Sequence, residues 1–184
     1  LGLPKEKCLE LLKVDRAKER GSLLKEDFDT AHSKFVSDIQ SACDRELAVL
    51  ALEAQLEADS YWDMHREARA EARGNEQGRV GTRVRIIGVS LSLEWYYNRF
   101  FDAVLGQKKK VLSTYISKGP GTSYSMSHFK KEPQWAQELI EHVESRYTPI
   151  RQRAAALSKI RKAVREYERL TAQSYNKNVP NEQE

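Results

Sequence analysis

The chain has 184 residues, of which 32% are charged and 40% hydrophobic, and its formal net charge is +4. That length suits one ordinary domain or a small domain with a long helical appendage, and so charged a chain has too little apolar material for a large catalytic α/β core. No apolar run approaches the roughly 18 residues that span a bilayer, and Leu1 to Asp15 lacks a signal-peptide layout, so the expectation is a cytoplasmic protein without a membrane partner.

The first segment, about Pro4 to Arg20, carries Leu9, Leu12 and Val14 behind an early proline and reads as a short helix ended by Gly21 and Ser22. From about Leu24 to Arg73 apolar residues recur at spacings of three and four, including Phe28, Phe35, Ile39, Val49, Leu52 and Leu56. That is one long amphipathic helix or two with a kink. A helix of about 50 residues spans about 75 Å, so part of it must pack on a second helix of the chain or on a partner, and a homodimer through this arm is one expectation.

Gly74, Gly78 and Gly81 open a region of different texture. Arg83 to Ile87, Gly88 to Asn98 and Lys110 to Ile116 alternate as strands do, and Ser123 to Met126 reads as a fourth strand returning across a Lys118–Gly121 turn. From Pro133 the period is helical again, through Trp135, Leu139, Ile140 and Val143, then Ile150, Ala154, Leu157, Ile160 and Val164. Pro149 stands either at the first turn of a last helix or as a kink in a continuous one. The fold class is therefore α+β: long N-terminal helices, a small central antiparallel sheet of three or four strands, and C-terminal helices packed on it. The expected regions are an acidic helical arm over 1–77, a basic β-rich region over 78–131, helices over 132–175 and a frayed tail over 176–184.

Charge follows the same division. Residues 1–77 hold 12 Lys/Arg against 17 Asp/Glu, residues 78–131 hold 10 against 2, and residues 132–184 hold 9 against 8. The central ten are Arg79, Arg83, Arg85, Arg99, Lys108, Lys109, Lys110, Lys118, Lys130 and Lys131, offset only by Glu94 and Asp102. Strand alternation puts Arg83 and Arg85 on one face with Val84 and Ile86 on the other. Basic strands over an apolar face fit a polyanion, double-stranded DNA first: arginine reads guanine bidentately, while loop lysines such as 108–110 grip phosphate. The plain alternative for any one lysine is a solvated face.

Trp95, Tyr96, Tyr97, Phe100 and Phe101 form an aromatic run that reads as core, with stacking on single-stranded bases as its alternative. Residue patterns for catalysis are absent. His32, His65, His128 and His142 belong to no metal-ligand spacing, Cys8 and Cys43 to no disulfide or zinc pattern, and no Walker loop or dinucleotide fingerprint occurs. No catalytic residue, metal site or cofactor is expected. On the last helix Arg151, Lys159, Lys162, Arg165 and Arg169 read as lying off the apolar stripe, either extending the DNA surface or, diluted by Glu166 and Glu168, forming a plain solvated face.

The string Ser92-Leu93-Glu94-Trp95-Tyr96-Tyr97-Asn98-Arg99-Phe100, then Ser117-Lys118-Gly119, Tyr124-Ser125-Met126-Ser127-His128-Phe129 and Ser158-Lys159-Ile160-Arg161-Lys162-Ala163-Val164-Arg165-Glu166-Tyr167-Glu168, resembles the MobI family of conjugative transfer proteins over roughly residues 80–170. Such proteins are encoded by certain large plasmids and integrative conjugative elements. The resemblance implies an auxiliary relaxosome protein that recognises the origin of transfer and helps bring the relaxase, a separate enzyme, to the DNA. The alternative is a coiled-coil assembly module whose basic strands bind an acidic protein partner.

Overall fold

The structure, a computed structural model, describes residues 3–13, 23–101 and 110–176. Three helices, α1 (Lys5–Lys13), α2 (Lys25–Glu71) and α3 (Gln134–Asn176), accompany one antiparallel sheet of three strands, β1 (Val80–Ile87), β2 (Ser90–Phe101) and β3 (Lys110–Tyr115), in the order β1-β2-β3. The α+β class read from the sequence holds, with long helices on both sides of the sheet in chain order. The arm after residue 23 is one uninterrupted helix. Pro149 lies inside the continuous α3, whose neighbouring turn is reinforced by Thr148 Oγ1 donating to the Glu144 carbonyl at 2.9 Å.

The chain divides into two compact units, one of residues 1–45 with 159–184 and one of residues 46–158. In the first, the early part of α2 meets the last part of α3: Val36, Cys43 and Val164 are buried, Phe35 packs edge-on to Tyr167, and Arg161 donates to Asp44 Oδ1 at 2.8 Å. An amphipathic helix too polar to stand alone thus finds its partner within the chain.

In the second unit the β1–β2 hairpin turns on two residues, Gly88 and Val89, with Gly88 at φ 58° in the left-handed region that primed hairpin turns require. The register that follows pairs Val80 with Tyr97, Thr82 with Trp95, Val84 with Leu93 and Ile86 with Leu91 on one face. This inner face meets α3 and α2. Trp95 is fully buried among Tyr61, Phe129 and Tyr147, and the core continues through Leu50, Ile140, Val143 and Ile150.

A buried ionic knot ties α3 to the sheet. Arg151 donates to both Glu144 oxygens at 2.7 and 3.1 Å and to the carbonyls of Leu93 and Thr122, while Glu144 also accepts from Trp95 Nε1 and the Tyr124 amide. The expectation that Arg151 belongs to a solvated basic face is therefore corrected: it is buried, and its guanidinium satisfies the strand carbonyl of Leu93 and the loop carbonyl of Thr122. Lys159, Lys162 and Arg165 are exposed as expected.

The fourth strand is also corrected. Residues 117–125 are irregular and run into a 3₁₀ turn at Met126–Phe129. The amide of Tyr124, which a strand would have offered to a neighbouring strand, goes instead to the Glu144 carboxylate, and its ring is buried.

At its start, over Val80 to Thr82, the free edge of β1 is closed by side chains. Tyr61 Oη donates to the Val80 carbonyl at 2.7 Å and Trp62 Nε1 to the Thr82 carbonyl at 3.1 Å, while the buried Glu132 accepts from the amides of Arg79 and Val80. Those contacts satisfy an edge that would otherwise recruit another strand.

Candidate nucleic-acid interface

Alternation sends the other half of each strand outward. Gly81, Arg83, Arg85 and Ile87 share the outer face with Tyr96, Glu94, Ser92 and Ser90, their register partners, and β3 adds Tyr115 beside Tyr96, Ser113 beside Asn98 and Val111 beside Phe100. The side chains of α3 that reach the sheet, from Glu144, Tyr147 and Arg151, go to its inner side or to strand carbonyls. Of α2, Trp62 borders the outer face at Gly81, and the Arg69 guanidinium lies 4.8 Å from the Phe100 ring centre.

Arg83 and Arg85 stand side by side on this face as alternation requires, with side chains 41% and 46% exposed. Between them sits Glu94. Arg83 Nε donates to Oε2 at 2.6 Å, Arg85 Nη2 to both oxygens at 2.8 Å, and Ser92 Oγ to Oε1 at 2.9 Å. Burial opposes ionisation of this carboxyl, but the hydrogen bonds from Arg85, Arg83 and Ser92 outweigh it and hold its pKa below the ordinary value. One carboxylate thus fixes two guanidiniums and cancels one of their charges. Each guanidinium has five N–H donors and spends one nitrogen here: Arg83 keeps its two-nitrogen end as a fork, and Arg85 keeps Nε and Nη1 as donors for a second acceptor.

The remaining sequence candidates fall elsewhere. Arg99 is exposed on the opposite side of β2, opposite Leu112. Arg79 and Lys131 line an open pocket of about 260 Å³ with Gly78, Tyr97, Glu132 and Pro133, and Lys130 is exposed next to it in sequence. Lys118 lines a separate groove with Ser90, Leu91, Pro120, Thr122 and Arg151. Lys110 opens β3 opposite Phe101. Lys108 and Lys109 lie outside the described residues. The cations that a linear reading gathers into one island are distributed over several surfaces, with Arg83 and Arg85 together on the outer sheet face and Arg79 and Lys131 together at the pocket.

The aromatic run is likewise split by alternation. Trp95 is core and Tyr97 packs against it, whereas Tyr96, Phe100 and Tyr115 belong to the outer face, and Phe101 is exposed on the other side. Arg83 rests 5.3 Å from the centre of the Tyr96 ring. Arg69 and Tyr115 went unnoticed as surface residues in the sequence. For both, only the tertiary arrangement supplies the signal: the parity of Tyr115 follows from the β2–β3 register, which the Gly88 turn between β1 and β2 does not set.

Among the described residues no group of three or more His, Cys, Asp or Glu is placed to hold a metal ion, and no helix is long and apolar enough to cross a membrane. Fold and surface together define a helical protein with a small antiparallel sheet, one face packed against the long helices and the other carrying the part-exposed Arg83, Arg85, Phe100 and Tyr115. The model of the MobI protein family matches residues 50–165, well over half of the chain and all of the sheet, and the chain belongs to the MobI family. It is accordingly a mobilization protein, related to conjugation. No curated protein and no solved structure matches it.

Proposed function

We propose that this MobI family member is a DNA-binding auxiliary protein of conjugative transfer, which recognises double-stranded DNA at the origin of transfer and helps bring the relaxase there, without chemistry of its own. The observation that carries the reading is the uncovered sheet face on which Glu94 holds Arg83 and Arg85 in parallel. Two oriented guanidiniums on a β-ribbon suit base edges in a major groove, and the more scattered Arg79, Lys118, Lys130 and Lys131 suit phosphates, which add affinity without sequence information. The acidic N-terminal arm repels phosphate and is left to the relaxase or to other protein partners in the cytoplasm.

Anisotropy of the protein on an origin duplex and a scrambled duplex, at several salt concentrations, tests this. Retention of the origin duplex at salt that releases the scrambled one supports it; equal release of both, or no binding, removes it. A specific observation favours the second reading, a protein-assembly module: Val49, Leu52 and Leu56 are exposed on α2 at spacings of three and four, a stripe suited to another helix. That reading predicts self-association or partner capture with no DNA preference.

A further inference from the structure

We infer that the distal half of the outer sheet face is a binding site for unpaired DNA bases, with Phe100 and Tyr115 as the stacking rings. The inference rests on the DNA-binding reading above and adds the form of DNA that this half of the face takes. Phe100 and Tyr115 are 47% and 52% exposed although both are large and apolar-bodied; neither ring is part of the core cluster, and Tyr115 touches it only through its hydroxyl, which accepts from Tyr124 Oη at 3.4 Å. Asn98 and Ser113, paired to each other at 2.7 Å, separate them on the same face with short side chains, so a flat ligand can approach both rings. Positions 96 and 100, two pleats apart, are about 13 Å from each other along β2, and Tyr115 sits beside the first of them, which leaves room for more than one base.

The charge on this face suits a phosphate strand. Arg69 lies over the Phe100 ring and Arg83 over the ring of Tyr96, the register neighbour of Tyr115, and Glu94 is the one acidic residue among the three strands. Rings flanked by arginines bind bases by stacking and backbone by ion pairing, with little regard to sequence. Bases inside a duplex are already stacked on one another and cannot reach such rings; an unpaired stretch can. A protein partner for the same patch would need carboxylates to meet the arginines, and is the other outcome of the test.

The test uses the whole chain and two labelled probes of about 20 nucleotides, longer than the about 4 to 16 that one small sheet covers: a thymidine homopolymer and a random duplex. Phe100→Leu with Tyr115→Leu removes both rings while keeping apolar cover and strand propensity, and Phe100→Tyr with Tyr115→Phe keeps both rings. The leucine pair is expected to lose about tenfold or more per ring on the single strand, with duplex affinity and circular dichroism unchanged, and the ring-keeping pair to bind as wild type. Unchanged single-strand affinity in the folded leucine variant overturns the inference, as does an equal loss on both probes. Wild-type binding to the duplex alone overturns this inference and leaves the origin-binding reading standing. No binding of wild type to either probe likewise overturns this inference, while the origin-binding reading is decided separately on the origin duplex.

Discussion

Arg83 and Glu94 are register partners across the β1–β2 hairpin, joined from Arg83 Nε to Glu94 Oε2 at 2.6 Å, and Arg85 closes on the same carboxylate from two residues along. The pairing does two opposed things. It lowers the positive charge offered to a polyanion, and it fixes the direction in which two guanidiniums point. Under the proposed DNA-binding function this arrangement favours selectivity over bulk attraction.

Glu94→Gln separates the two effects. The amide keeps the shape but removes a negative charge, so the salt dependence of DNA binding is expected to steepen by about one counterion per binding event, and binding to scrambled duplex to strengthen. Preference for the origin duplex is expected to fall, because one of the two oxygens that orient the arginines becomes an NH2 group that cannot accept from them. A variant that keeps wild-type selectivity while binding all DNA more tightly shows that Glu94 orients nothing.

Arg151→Ala leaves the Glu144 carboxylate buried without its cation and orphans the carbonyls of Leu93 and Thr122. Breaking a buried ion pair from one side costs about 3–5 kcal/mol. Urea unfolding is expected to show a loss of that size with an unchanged m-value; a loss below about 1 kcal/mol means that the knot is not part of what holds α3 to the sheet.

His65 gives the fold a pH dependence. It is buried against Tyr61, Trp62 and Trp135, and its Nε2 has no hydrogen-bond partner among the described residues. Burial, and after it the charge of Arg69, brings its pKa down from 6.5 to about 4. The unfolded chain therefore takes up a proton that the folded one refuses. This contribution is complete above about pH 6.5 and declines as pH falls toward 4, by up to about 3 kcal/mol. Glu94, with its pKa lowered, withdraws stability in the same direction at lower pH still. His65→Leu is expected to flatten the stability profile between pH 6.5 and 4; an identical profile in wild type and variant contradicts the assignment.

Much of the fold was legible because helical and strand periods are local. The stripe through Phe28, Phe35 and Val49 marks α2, and the alternation from Arg83 onward marks the hairpin that places Arg83 and Arg85 together. What was not legible depended on partners distant in sequence. Arg151 reads as a surface cation until Glu144 and the Leu93 carbonyl are brought beside it. Tyr124 to Met126 alternate as a strand does, yet a carboxylate on α3 takes the Tyr124 amide. The basic island is contiguous along the chain, but Arg99 and Arg83 leave β-strands on opposite faces, a consequence of parity that becomes visible only once the register is known. The arginine pair was thus readable from sequence, and its neutralising carboxylate partner was readable only as a nearby charge.

The most direct measurement is anisotropy of wild type and the Arg83→Ala, Arg85→Ala double variant on origin and scrambled duplexes across a salt series, with circular dichroism as the check on folding. The account predicts a few kcal/mol lost on the origin duplex, about 1–3 for each good base contact, a far smaller loss on the scrambled one, and unchanged helical content. Equal affinity of wild type and folded variant for the origin duplex contradicts it, since the outer face of the sheet then has no part in holding DNA.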